Sequence, residues 1–253
     1  MGDRSAIEWT DATWNPVTGC TKISPGCKFC YAERLTERWG RGRFTDVRTH
    51  PERLDMPLRW REPRRIFVNS MSDLFHERVP TAFIGDVFAV MRRADHHIFQ
   101  VLTKRPDRLL EWQREAHPKI PSHIWVGVSV ESTDYLWRVE RLRSVDAAIR
   151  FISAEPLLGS LGDLDLDGIS WVITGGESAG SEARALVTRT PSGWRPKATG
   201  LIWVRELRDR CRHKGIAFFH KQWGGPTPKA GGRILDGRQW NQLPVPRLVE
   251  RKS

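Results

Sequence analysis

Ile124-Trp125-Val126-Gly127-Val128 passes directly into Ser129-Val130-Glu131-Ser132, and that junction decides how the chain is organised. A near-continuous apolar run suits a strand covered on both faces, as in a parallel sheet. Its abrupt polar end leads into Asp134 to Arg143, where Leu136, Val139 and Leu142 recur at helical spacing. Strand, polar collar and amphipathic helix together make one βα unit. The same grammar recurs on both sides. Upstream, Arg65-Ile66-Phe67-Val68 runs into Asn69-Ser70-Met71-Ser72-Asp73, and His97-Ile98-Phe99-Gln100-Val101-Leu102 runs into Thr103-Lys104-Arg105-Pro106. Downstream, Arg150-Phe151-Ile152 meets Ser153-Ala154-Glu155-Pro156, Trp171-Val172-Ile173 meets Thr174-Gly175-Gly176-Glu177-Ser178, and Ile216-Ala217-Phe218-Phe219 meets His220-Lys221-Gln222.

Further helical patterns cover Thr81 to Arg93, Pro106 to Glu115 and Leu201 to His213, and Cys30 to Trp39 is expected to form the first helix. Six or seven alternating units predict an α/β fold, a partial or complete (β/α) barrel of the TIM type. Such barrels carry function on the loops that follow the strands. Those loops hold the cysteines between Cys20 and Cys30, then Lys104, Ser129, Glu131, Glu155, Glu177 and Lys221. A lone Ser or Asp before a helix often only caps it; six coincident polar collars point to a functional rim. Residues 1–224 read as one barrel domain. Residues 225–253 read as a C-terminal extension packed on the barrel or fraying from it, with a tight turn at Leu235-Asp236-Gly237-Arg238.

Before the first of these units lies Cys20-Thr21-Lys22-Ile23-Ser24-Pro25-Gly26-Cys27-Lys28-Phe29-Cys30, a C-x6-C-x2-C pattern. Three thiolates are one short of a closed four-coordinate zinc site, and clustered cysteines also hold iron–sulfur clusters. No apolar run approaches the roughly 20 residues that span a bilayer, and the N-terminus has no apolar signal core, so a cytoplasmic protein without membrane contact is expected. In a reducing compartment such cysteines are metal ligands more often than disulfides. The fourth cysteine, Cys211, falls inside a helical pattern and reads as a small buried residue. The formal charge of +11 and pI near 10.1 suit a partner such as DNA or RNA. Arg59, Arg61, Arg64 and Arg65 form one sequence cluster, and Arg138, Arg141 and Arg143 share a helix. Of the twelve tryptophans most are expected in the core, with a few available to stack on bases.

Trp14-Asn15-Pro16-Val17-Thr18-Gly19-Cys20, Gly26-Cys27-Lys28-Phe29-Cys30-Tyr31-Ala32 and Phe219-His220-Lys221-Gln222-Trp223-Gly224 resemble the phage-associated three-Cys-motif family. That family is of unknown function and is related to the radical S-adenosylmethionine (SAM) superfamily, with spore photoproduct lyase as a distant relative. The likeness continues through Leu102 to Pro106, Gly127 to Glu131, Ala154 to Leu157 and Gly175 to Ser178, and so covers nearly the whole chain. Two departures stand out. The first cysteine gap is six residues where the superfamily pattern has three, and the run from residue 179 to 185 lacks the expected Gly-Pro and Arg-Pro.

The resemblance implies a radical-SAM-like barrel. On this reading Cys20, Cys27 and Cys30 ligate a [4Fe–4S] cluster, and SAM, bound at the remaining iron, is cleaved to a 5′-deoxyadenosyl radical; the basic charge adds nucleic acid as the expected substrate, in repair or modification. Phe29 would shield the cluster, and Ser129 and Glu131 would meet the ribose of SAM. Lys104 would meet its carboxylate or a substrate phosphate, while Glu155, Glu177 and Lys221 would face the substrate. A three-Cys-motif partner protein is a further implied partner. The competing reading is a binding protein without catalysis, in which one of His50, His76 or Cys211 completes a zinc site.

Overall fold

The computed structural model describes residues 5–116, 119–178 and 183–244. Seven strands form one sheet: β1 (Ala12–Trp14), β2 (Arg65–Val68), β3 (Ile98–Thr103), β4 (Ile124–Ser129), β5 (Arg150–Ala154), β6 (Trp171–Gly175) and β7 (Ala217–Gln222). They lie side by side in chain order and every pair is parallel. The helices between them are α1 (Tyr31–Arg38), α2 (Thr81–Arg93), α3 (Pro106–Ala116), α4 (Trp137–Arg143) and α5 (Ala198–His213). Of the two barrel forms expected, the partial one is present: the sheet is a half-barrel that starts at β1 and stops at β7. No described helix is long and apolar enough to cross a membrane.

Alternation along each strand separates two cores. Ile66, Val68, Val126, Val128, Ile152, Val172 and Phe218 point to the outer layer, where the helices cover them. Phe67, Trp125, Phe151, Trp171, Ile173 and Phe219 point inward and pack with Trp9. Trp171 is the hub of this inner group. Its ring lies 5.8 Å from Trp125, 5.5 Å from Phe151, 6.0 Å from Trp9 and 6.1 Å from Phe219, within the spacing that favours tilted and edge-to-face pairs. Gly127 is the inward residue beside this filling. A Cβ there would meet the Phe151 ring at 2.5 Å, so only glycine lets the ring lie against the strand.

The stretch after β7 packs on the sheet edge. Gln242 N donates to Phe218 O (3.1 Å), His220 N donates to Trp240 O (2.9 Å), and Trp240 is buried. The turn at Leu235–Arg238 is present, with Asp236 and Gly237 both at positive φ. Fraying at the chain end concerns residues 245–253, which lie outside the described residues.

Candidate functional site

The C-terminal ends of the strands surround a cavity of about 250 Å³, close to the small end of ligand sites, roughly 300 Å³. Its floor is Trp9, Phe67 and Leu102; its walls carry Lys104, Ser129, Glu155, Glu177 and Lys221, and all three N-terminal cysteines line it. Eight of the ten site residues read from the sequence therefore reach one space, and Phe29 is the ninth. Glu131 is the exception. It is fully buried beneath the cysteine loop, where a Cβ on Gly26 would come within 3.0 Å of its Oε1.

Local structure explains how the cysteine loop is held. Gly19 at φ +85° makes a turn so tight that a Cβ would strike Asp46 O at 2.4 Å. From there Gly19 N donates to Met71 O (3.2 Å) and Cys20 N to Phe44 O (2.8 Å). A single 3₁₀ turn, Pro25–Cys27, then leads to α1. Arg105 ties this loop to the barrel. Its Nη2 donates to Thr21 O (3.1 Å) and Oγ1 (3.0 Å), and its Nη1 lies 3.3 Å from Asp73 Oδ2 and 3.6 Å from Cys20 Sγ. Asp73 is itself fixed by Thr103 Oγ1 (2.7 Å) and the Lys104 amide (3.0 Å).

Burial is the main influence on two of the thiols. It pushes Cys20 up to about 12, with the negative Asp73 adding to the effect and Arg105 opposing it, and it raises Cys30 as well. Thiols so placed keep their protons until a metal displaces them. Among the described residues no three His, Cys, Asp or Glu side chains gather tightly enough to hold a single metal ion. His50 bonds to Thr18 Oγ1 (2.8 Å) and Glu52 (3.1 Å), and His76 bonds to Thr21 Oγ1 (2.9 Å). Cys211 lies fully buried among the apolar residues of the outer core. None of these three lines the cavity.

Two ion pairs lie at the mouth and a third is buried beneath the cysteine loop. Glu131 Oε2 accepts from Arg138 Nη1 at 3.0 Å, both side chains being buried, with Lys104 Nζ 3.7 Å away. Glu131 Oε1 has no partner. Lys221 Nζ sits 3.0 Å from Glu155 Oε1, and Ser153 Oγ donates to Oε2 at 3.2 Å. Glu177 takes a two-pronged contact from Arg184 (2.7 and 2.8 Å), whose Nη2 also donates to Pro25 O at 2.8 Å. Arg184 thus joins the loop after β6 to the cysteine loop and lies 5.5 Å from the Phe29 ring. Beside it, Gln222 donates to Ser178 Oγ while its buried Oε1 has no acceptor role filled.

Arg105 and Arg184 are site residues that sequence reading missed. Arg105 stands inside the quoted Thr103-Lys104-Arg105-Pro106 collar, which was the available signal; Arg184 carried none. Residues 179–182, part of the run lacking Gly-Pro and Arg-Pro, lie outside the described residues.

The arginine clusters read from the sequence differ in their placement. Arg138 is buried on Glu131, Arg141 meets Asp107 (2.9 Å), and Arg143 meets Glu140 (2.5 Å) and Asp165 (3.0 Å). Arg59 to Arg65 lead into the N-terminal end of β2, the end of the sheet away from the cavity, and Arg65 is paired with Asp11 at 2.6 Å.

A parallel half-barrel with a polar, cysteine-lined cavity at its strand ends defines a protein of the partial (β/α)-barrel class. The chain belongs to the DUF5131 family, described as proteins of unknown function, whose family model matches residues 4–244. No curated protein and no solved structure matches it.

Proposed function

We propose that this protein is an iron–sulfur enzyme of the radical SAM type that acts on nucleic acid. The observation that carries the reading is the cysteine loop itself: Cys20, Cys27 and Cys30 line one cavity at the catalytic end of a parallel half-barrel. The donor set fits the group in kind and number. A cubane takes its thiolates on separate irons, so it asks for thiols around a space rather than thiols converged on one ion, which a zinc site requires. Cys20, Cys27 and Cys30 would hold a [4Fe–4S] cluster, which with SAM supplies a 5′-deoxyadenosyl radical.

The chain's own groups have separable tasks in this reading. The aromatic floor keeps water from the cavity base. Arg105 and Arg184 hold the cysteine loop from two sides. Lys104 offers a cation to a carboxylate or phosphate, and Ser129 offers a hydroxyl to a ribose. Glu131, under the loop, keeps Lys104 and Arg138 in place. The Glu155–Lys221 pair presents an acceptor and a donor to a substrate.

The test is anaerobic reconstitution with iron and sulfide, followed by metal analysis, visible and electron paramagnetic resonance spectra, and a search for 5′-deoxyadenosine after reduction with SAM. Wild type is expected to bind a cluster and cleave SAM, and each of Cys20→Ala, Cys27→Ala and Cys30→Ala to lose most iron while Cys211→Ala keeps it. A protein that takes up zinc alone, or a loaded cluster that binds no SAM, would falsify the reading.

A further inference from the structure

The loop that follows α1 reads Arg38-Trp39-Gly40-Arg41-Gly42-Arg43-Phe44, and its placement is unlike that of the other arginines. Trp39 is 49% exposed, and Trp39 and Trp137 are the only exposed tryptophans among the described residues. The Arg41 guanidinium lies 4.5 Å from the Trp39 ring. Gly40 and Gly42 are at positive φ with nothing within 4 Å of a Cβ on either, and residues 38–43 are all exposed while Phe44 is buried. Between Arg34 and Arg48 there are five arginines against two carboxylates. Of these carboxylates, Asp46 is shared at 3.8 and 3.9 Å by Arg43 and Arg48. Arg38 and Arg41 meet no carboxylate among the described residues.

The segment from Arg34, on α1, to Phe44 also begins and ends at the cavity. Arg34 and Phe44 both line it, and Arg34 reaches across the mouth to Ser178 O at 3.4 Å. Five residues of helix rise separate Arg34 from Trp39, about 7.5 Å.

Resting on the nucleic-acid reading above, we propose that Arg34 to Arg48 is the docking surface for one strand of nucleic acid. Trp39 stacks on an unpaired base, Arg38, Arg41 and Arg43 meet phosphates, and the strand's neighbouring nucleotide enters the cavity. An exposed ring with a guanidinium beside it suits a base freed from its stack. A base inside a duplex has no free face to offer, so the surface selects single strands or locally opened duplexes.

Fluorescence anisotropy with a fluorescein-labelled single-stranded oligonucleotide, its duplex as competitor, tests this at low and at physiological salt. Trp39→Ala is expected to weaken single-strand binding about tenfold without changing the salt slope, and Trp39→Phe to restore most of it. The double change Arg41→Glu, Arg43→Glu is expected to weaken binding and flatten the slope by about 1.4, at ~0.7 for each phosphate no longer neutralised. Wild-type binding that is undiminished in both variants but lost on Arg59→Glu, Arg61→Glu overturns this surface and leaves nucleic acid as the partner. Wild type that binds no single strand at low salt overturns both.

Discussion

The two halves of the barrel interior are built from the same strands, yet they are opposite in character. Near the strand starts, Trp125, Phe151 and Trp171 meet ring to ring, and the indole N–H groups of Trp9, Trp125 and Trp171 have no acceptor. A few residues further along, Lys104, Glu155, Glu177 and Lys221 are paired, hydrogen-bonded and open to the cavity. The lower half spends its volume on aromatic area, the largest apolar contribution a side chain can make. The upper half keeps polar groups in a setting where each needs a partner. Stability and chemistry are thereby separated along a single direction, and substitutions can break or sharpen that separation.

The largest loss is expected at the floor. Trp171→Ala removes the ring on which four others rest and should cost about 3–5 kcal/mol in urea unfolding. A loss near zero would mean the floor is not a keystone. Arg138→Met follows. It leaves Glu131 buried without its guanidinium and should cost about 3 kcal/mol, the lower end because Lys104 Nζ remains 3.7 Å away. Adding Glu131→Gln should recover much of that loss, and additive effects would show that the pair is not coupled.

The third effect depends on pH. His220 is buried on β7, bonded through Nδ1 to Thr174 Oγ1. Burial, with the Arg233 charge adding, holds it down to about 3. An unfolded histidine titrates near 6.5, so the unfolded chain gains a proton in mild acid that the folded one refuses. The stability in question is whole above about 6.5 and is lost as pH falls towards 3. Between those limits wild type should fall more steeply than His220→Phe, by about 1.4 kcal/mol per pH unit; parallel profiles would remove His220 as the cause. The smallest change in stability is expected at the mouth. Cys27→Ala should alter metal-free unfolding by about 0.5 kcal/mol or less while losing most of the iron that wild type takes up. A large loss of stability there would mean the loop serves the fold as well as the ligand.

Six of the seven sheet strands were legible because each is an apolar run closed by polar residues, and α2 matches its expected bounds of Thr81 to Arg93. The seventh, Ala12–Trp14, is three residues long and offers no period to read. The antiparallel ribbon of Val187–Thr190 and Gly193–Pro196 was missed too, since Val-Thr-Arg-Thr and Gly-Trp-Arg-Pro carry little apolar content. Within the site, the collars gave Lys104, Ser129, Glu155 and Lys221 because strand ends are where a parallel barrel exposes polar groups. They could not give Arg184, whose contact with Pro25 spans 159 residues. Nor could neighbouring arginines reveal their fates. Arg138 and Arg141 share a helix, yet one is 1% exposed on a buried carboxylate and the other stands at the surface with Asp107.

The ties on the cysteine loop also set an order in time. Its cysteines leave the ribosome before the residues that tie them, for Arg105 is 85 residues beyond Cys20 and Arg184 is 159 beyond Pro25. Contacts of such separation form late, because the intervening chain must first be brought to its place. Arg105 therefore ties the loop to the barrel only after β3 has joined the sheet, and the loop is held on its second side only after β6 has. A nascent chain that ends before Arg184 holds its three thiols from one side only. In this molecule the cysteine loop is made well before the residues that finish it.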